Sequence, residues 1–229
     1  LIREIAREND LRLVATTDRG DSPHIGQDSG EVAGLASNDV LIGVDPASLF
    51  SDADVVIDFS APDASIHHAT LAAETGKAMV IGTTGLTPDQ EDMLRQAAKQ
   101  TAIVYCANTS VGVTLLTQLV EQVAAQLTTG WDIEILETHH HFKVDAPSGT
   151  ALALGKAAAR GRQVDLDCVA DMVRKGKIGA RNDGDIGFAV LRGGDVAGEH
   201  SVIFYGESER VELIHRANDR VIFARGALR

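Results

Sequence analysis

Hydrophobic positions along the chain fall into two regimes. From Leu11 to Cys106, short apolar runs alternate with amphipathic stretches; after Ile186, apolar runs follow one another with nothing helical between them. In the first regime Asp54–Phe59, Ala78–Ile81 and Ala102–Cys106 are apolar without alternation, the pattern of strands buried on both faces of a parallel sheet. Between them, Ser60-Ala61-Pro62-Asp63 opens a helix that passes Leu71 and Ala73 and closes at Gly76. Thr87-Pro88-Asp89-Gln90 reads as a capping box whose helix runs to about Gln100. Upstream, Leu1, Ile2, Ile5 and Ala6 share one side of a helix, and Leu11–Thr16 reads as a strand ending at Asp18-Arg19. Residues 20–50 read as loop, with a short strand near Val40–Val44. This alternation predicts a doubly wound parallel sheet.

The second regime begins with a long helix, Val111–Leu127, whose apolar face is Val113, Leu116, Leu119, Val120 and Val123. Ile133–Leu136 reads as a strand, and an alanine-rich helix opens at Thr150. Arg160–Asp185 is polar, and its basic run Arg174-Lys175-Gly176-Lys177 reads as a solvated loop. Strands are then predicted at Ile186–Arg192, His200–Tyr205, Arg210–Arg216 and Val221–Ala224. Strand after strand without helices predicts a mixed or antiparallel sheet. The fold class expected is therefore α/β: a Rossmann-like doubly wound sheet, followed by an α+β domain on a mixed open sheet.

A helix, a strand and an acid at the strand's end form the latter part of a dinucleotide-binding βαβ unit. There the acid lies roughly 20 residues after a glycine fingerprint and bonds the adenosine ribose. Asp18 takes that place, and the first strand with its glycine loop is expected before residue 1. Arg19 beside it suits a 2′-phosphate, so both NADH and NADPH are admitted. Ligands gather at the carboxyl ends of parallel strands. Gly82, Thr83 and Thr84 end one strand, and Cys106, Ala107, Asn108 and Thr109 end the next.

Charge and cysteine content narrow the function. A formal net charge of −12 argues against nucleic acid or an anionic membrane as partner. The two cysteines, Cys106 and Cys168, give no disulfide framework and fit a reducing cytoplasm. No apolar run reaches the ~18 residues of a membrane span, and no signal peptide is visible.

The densest chemistry lies between the two regimes. Glu137-Thr138-His139-His140-His141-Phe142-Lys143 leads through Ala146-Pro147-Ser148-Gly149 into the helix at Thr150. If extended geometry persists past Glu137, His139, His141 and Lys143 share a face. A proton-transfer imidazole, an ammonium group and an anion-binding helix N-terminus then converge, which suits chemistry on a small anionic substrate. No HExxH or CxxC spacing accompanies the histidines, so no metal is expected.

Glu137 to Ala151 resembles the signature of the dihydrodipicolinate reductase family, roughly E-x-H-H-x-x-K-x-D-x-P-S-G-T-A, at every fixed position. The resemblance implies roles. His139 would be the general acid/base, Lys143 a proton donor and carboxylate partner, and His140 a substrate contact. Gly149 and Thr150 would bind a substrate carboxylate through backbone N–H groups. Asp58–Pro62, Gly82–Gly85 and Ala107–Ser110 resemble further family segments, the last two facing nicotinamide. Leu191–His200 resembles another, in which Arg192 and His200 either line the pocket or pair with acidic neighbours. Many relatives carry Arg-His where this chain has His141-Phe142. The implied reaction is NADH- or NADPH-dependent reduction of 4-hydroxy-tetrahydrodipicolinate, a small cyclic dicarboxylate, on the diaminopimelate route to lysine. The implied domains are 1–109 with 220–229 for the dinucleotide and 110–219 for substrate and oligomerisation, the open sheet forming a homotetramer surface. The alternatives are another two-domain nicotinamide dehydrogenase, a non-catalytic cofactor sensor and a His-cluster metal hydrolase.

Overall fold

A computed structural model describes residues 1–229, which divide into two compact units: 1–109 with 223–229, and 110–222. In chain order the first unit holds α1 (Ile2–Ile5), β1 (Thr16–Thr17), α2 (Ser29–Val32), β2 (Ile42–Gly43), α3 (Ala47–Asp52), β3 (Val55–Asp58), α4 (Pro62–Thr75), β4 (Ala78–Ile81), α5 (Pro88–Ala97) and β5 (Ile103–Tyr105). Strands β3, β4 and β5 pair in parallel in that order, with Asp58 opposite Ile81 and Ile81 opposite Tyr105. Their three carboxyl ends therefore lie side by side. The crossovers start and stop where the sequence marks them. Thr87 and Gln90 form the reciprocal capping box of α5, and Gly76 ends α4 in the left-handed conformation at φ 68°. Phe50, Val56, Ile66, Met79, Ile81 and Leu94 make the core between the layers.

The strand expected at Leu11–Thr16 shrinks to β1, because its parallel partner β2 offers only Ile42 and Gly43 for pairing. Residues 20–50 also hold a short helix, α2, capped by the Asp28 side chain on the N–H groups of Gly30 and Glu31.

The second unit holds α6 (Val111–Gln126), β6 (Asp132–His139), α7 (Gly149–Arg162), α8 (Leu166–Val169), β7 (Ala170–Asp171), β8 (Ile186–Arg192), β9 (Gly198–Tyr205) and β10 (Arg210–Ala217); α9 (Val221–Ala227) closes the chain. The sheet is mixed, in the order β10-β9-β6-β8-β7, with β6 parallel to β8 and antiparallel to β9. Helices α6 and α7 cover one face, where Val120, Leu154, Ile133, Ile135, Val202 and Phe204 are buried. No helix is long and apolar enough to cross a membrane.

Two expectations fail here, one at the last helix and one in the basic run. Val221–Ala224 is helical rather than a strand: Asp219 Oδ1 accepts the Val221 N–H at 2.8 Å, starting a turn that overrides the β-branched residues. Arg174 of the basic run is not merely solvated. It makes a bidentate pair with Glu134 at 2.8 Å and a further bond to Asp171 at 2.6 Å. Within the first unit, Thr109 Oγ1 donates to the Phe223 carbonyl at 2.7 Å and Arg225 pairs with Glu4 at 2.7 Å, so the last helix returns to the first residues.

Helices α6 and α7 meet at Gly161, where an added Cβ would lie 2.4 Å from the Glu121 carbonyl oxygen and 2.8 Å from Ala124 Cβ. Gly161→Ala should therefore lower stability by about 1–2 kcal/mol by urea titration, overpacking outweighing the gain in helix propensity. A more stable variant would show that the helices are free to separate.

Candidate active site

Strand β6 alternates strictly, so Ile133, Ile135, Glu137 and His139 all face the helix-covered side. The first two enter the apolar core. The last two carry polar atoms to its end, where α7 begins. His200 on β9 stands directly opposite Glu137, and Arg192 on β8 opposite His139. Register alone thus gathers a carboxylate, two imidazoles and a guanidinium.

Glu137 is 1% exposed and every group around it donates. Oε2 takes His139 Nδ1 at 2.5 Å and Arg192 at 2.8 Å; Oε1 takes Arg192 at 2.9 Å and the Ser148 N–H at 2.9 Å. Burial by itself would raise this carboxyl, but the bonds from His139, Arg192 and Ser148 outweigh it and hold it at about 2. The ionised carboxylate only accepts, so His139 carries its hydrogen on Nδ1 and turns Nε2 toward Gly198. A Cβ at Gly198 would sit 3.0 Å from that nitrogen, so the glycine keeps the approach open.

The rings of His139 and His200 meet edge to face with centroids 5.1 Å apart. Burial lowers His200 to about 4, and the charges of His139, His215 and Lys143 act in the same direction against that of Glu137. His200 Nε2 lies 3.1 Å from Ser148 Oγ, which also accepts the Ala151 N–H as the cap of α7. The start of α7 is therefore anchored to β6 through Ser148 N and to β9 through Ser148 Oγ. Gly149 and Thr150 are the first residues of that helix.

The extended geometry expected past Glu137 ends at His139. His140 and Lys143 close a turn through a 3.1 Å backbone bond, so His139, His141 and Lys143 do not share a strand face. The turn still brings Lys143 in: its charge acts on His200, and its ammonium bonds Asp145 at 2.7 Å. His140 is half-buried and held by a backbone bond to Val196 at 2.8 Å. The rings of His141 and Phe142 lie tilted at 43° against each other, exposed, with centroids 3.7 Å apart.

In the first unit, Gly82–Thr84 and Cys106–Thr109 follow the paired strands β4 and β5. A Cβ on Gly82 would meet the Phe59 ring at 2.1 Å, so that ring lies directly over the glycine. Thr83 is buried and its hydroxyl accepts the Ser60 N–H at 2.9 Å. Cys106 Sγ donates to the Asn108 carbonyl at 2.8 Å. Asp18 follows β1; the Ser22 hydroxyl and the Arg19 N–H lower its carboxyl. The Arg19 side chain is exposed and pairs with Asp21 at 3.0 Å. These adjacent carboxyl ends of parallel strands fit a dinucleotide.

Sequence reading gave no role to Glu137 or Ser148 and left Arg192 and His200 open. Arg192 pairs with an acidic neighbour, and His200 faces Ser148. The signal for Glu137 was present: an acid in step with Ile133 and Ile135 must be buried, and a buried acid needs donors.

Two family models cover the chain: "Dihydrodipicolinate reductase, N-terminus" over residues 1–109 and "Dihydrodipicolinate reductase, C-terminus" over residues 112–229. A 4-hydroxy-tetrahydrodipicolinate reductase from Ruegeria pomeroyi is 50% identical over all of this chain and 85% of its own length. One from Agrobacterium fabrum is 52% identical over all of this chain and 83% of its own length. Among solved structures, a dipicolinate-bound dihydrodipicolinate reductase from Paenisporosarcina sp. TG-14 aligns with TM-score 0.74 at 24% identity, over 99% of this chain and 86% of that one. An apo scyllo-inositol dehydrogenase from Lactobacillus casei aligns with TM-score 0.61 at 12% identity, over 99% and 80%, which is a likeness of fold. The chain belongs to the dihydrodipicolinate reductase family, enzymes that reduce 4-hydroxy-tetrahydrodipicolinate with NADH or NADPH on the diaminopimelate route to lysine.

Proposed function

We propose that, in this reduction, His139 first takes up a proton on Nε2 and, as an imidazolium paired with Glu137, passes that proton to the substrate, while Lys143 with the start of α7 holds the substrate's carboxylates. The observation that carries the reading is the 2.5 Å bond between His139 Nδ1 and buried Glu137, which commits Nε2 to proton exchange. When bound, reduced nicotinamide supplies the hydride. The residues that hold it are Gly82, Thr83, Thr84, Cys106, Ala107, Asn108 and Thr109 at the nicotinamide end, with Asp18 and Arg19 at the adenosine end.

The substrate is a small cyclic dicarboxylate, a reading supported by the dipicolinate bound to the Paenisporosarcina relative. One carboxylate meets the N–H groups of Gly149 and Thr150, the other Lys143, with His140 alongside. Lys143 is paired with Asp145, whose side chain is 56% exposed. Such a pair is worth only ~0–1 kcal/mol, so exchanging Asp145 for a substrate carboxylate costs little.

Residues 1–109 with 220–229 act as the dinucleotide domain, and 110–219 as the substrate and oligomerisation domain. The sheet face opposite α6 and α7 carries Leu191 and Ile214, 53% and 41% exposed, which suits burial in a homotetramer. The unpaired Cys106 and Cys168 suit the cytoplasm.

Followed by loss of nicotinamide absorbance, His139→Gln should lower kcat ~10²-fold or more with an unchanged KM for NADH. Lys143→Ala should raise the substrate KM about tenfold to a hundredfold and also lower kcat. Native turnover in His139→Gln removes that residue from the chemistry. By analytical ultracentrifugation the chain should sediment as a tetramer, and Ile214→Glu should weaken the assembly; a monomer at micromolar concentration rejects it.

Stability should fall with pH in two windows. His200 is about 4 folded against 6.5 unfolded, so the unfolded chain binds the extra proton and stability drops as pH falls from 6.5 to 4. Glu137 is about 2 against 4.5, so its contribution is present above 4.5 and lost as pH falls toward 2. In thermal melts His200→Gln should flatten the first window and leave the second; an unchanged first window assigns that loss to other groups.

A further inference from the structure

An imidazole gains and gives up its transferable proton at one chosen nitrogen only when its ring is aimed and the hydrogen on its other nitrogen is held, and the ring supplies neither by itself. We infer that Glu137 is the positioning residue of this reaction: one buried carboxylate fixes the proton-donating ring of His139 and the anion-binding start of α7 relative to each other. The inference rests on the reading of His139 as the acid/base group and adds a residue to it.

The contacts divide in a way that an ordinary buried ion pair does not require. Each carboxylate oxygen takes one nitrogen of Arg192, at 2.8 and 2.9 Å. That fork already neutralises the charge and locks the carboxylate plane. Each oxygen then holds one further group of functional weight: Oε2 takes His139 Nδ1 at 2.5 Å, and Oε1 takes the Ser148 N–H at 2.9 Å. Ser148 is the cap of α7, so the direction of its N–H sets where the first-turn N–H groups of Gly149 and Thr150 point. Rotating the carboxylate away from His139 would break the Arg192 fork and release the helix start together.

Arg192 extends the clamp. It also donates to the Asp145 carbonyl at 2.8 Å, in the loop that carries Lys143. The carboxylate thereby ties β6, β8, the Lys143 loop and α7 at one point. Proton donor and carboxylate seat are held at a set separation before substrate arrives, the condition for a large orientational contribution to rate. A counter-ion kept only for Arg192 would leave the ring tautomer and the helix start indifferent to its identity.

The test uses the full chain, 4-hydroxy-tetrahydrodipicolinate and NADH, with histidine-selective 15N NMR of the His139 ring. Glu137→Gln should lower kcat ~10²-fold, raise the substrate KM, and leave the NADH KM unchanged. Its amide N–H₂ can face Nδ1, so the ring should lose its single Nδ1–H form. Glu137→Asp should recover part of kcat. Because a lone buried Arg192 can unfold the chain, Glu137→Gln/Arg192→Met removes both charges, and kcat should stay low there too. Recovery of near-native kcat in the double variant, or native kcat with an intact Nδ1–H signal in Glu137→Gln, overturns the inference. An inactive His139→Gln beside a fully active Glu137→Gln sinks the positioning role alone; an active His139→Gln sinks the acid/base reading and this inference with it.

Discussion

A carboxylate taken out of water must either give up its charge or be surrounded by donors, and the second unit is arranged around the second outcome at Glu137. Strand periodicity puts the residue inside, behind Ile133 and Ile135. The donors then come from β6 itself, from β8 and from the start of α7. None is adjacent in sequence to another, so the carboxylate is satisfied only when strand register, crossover and helix start are all correct. Removing one partner of such a pair typically costs ~3–5 kcal/mol, because the other is left charged and buried. The site and the fold of this unit are thus specified by the same bonds.

This dependence decides how the chain handles charge. The formal net charge is −12, and the substrate of the family is a dianion. Bulk repulsion is screened over about 8 Å at physiological ionic strength, so what matters is the field at close range. There Arg192 is already neutralised by Glu137, whereas Lys143 is matched only by the exposed Asp145. The guanidinium is committed to structure and the ammonium is available for exchange. Lysine suits the exchangeable place, being a flexible point charge, and arginine the fixed one, being a planar fork.

Much of this was legible in the sequence, for identifiable reasons. The strand–helix alternation of the first unit and the capping box at Thr87 are local signals, and they appear in the structure where the pattern puts them. Val221–Ala224 misled because two β-branched residues and a phenylalanine outweigh a cap when only propensity is read, while Asp219 decides the actual start. Arg174 misled because its bidentate partner, Glu134, lies 40 residues earlier in the chain and is brought to it only by the folded sheet. The alternation of His139, His141 and Lys143 failed at the turn that begins at His140, a feature with neither glycine nor proline to announce it. Glu137 lies 55 residues before Arg192, and strand register makes it a neighbour of both Arg192 and His200.

Register also explains how one helix start differs from another. Two helices of the second unit begin at a serine cap that faces a histidine on the sheet: Ser148 with His200 at 3.1 Å, and Ser110 with His215 at 3.4 Å. His200 and His215 are directly opposed on β9 and β10, so both helix starts hang from one row across the sheet. Extending that row through β6 reaches Glu137, and the next inward-facing position is His139. His200 is one strand from that pair and His215 is two, and of the two helix starts α7 also bonds Glu137 directly, through the Ser148 N–H. A repeated capping device therefore meets a buried acid at one of its two occurrences, and there the helix start lies beside an imidazole whose tautomer that acid fixes.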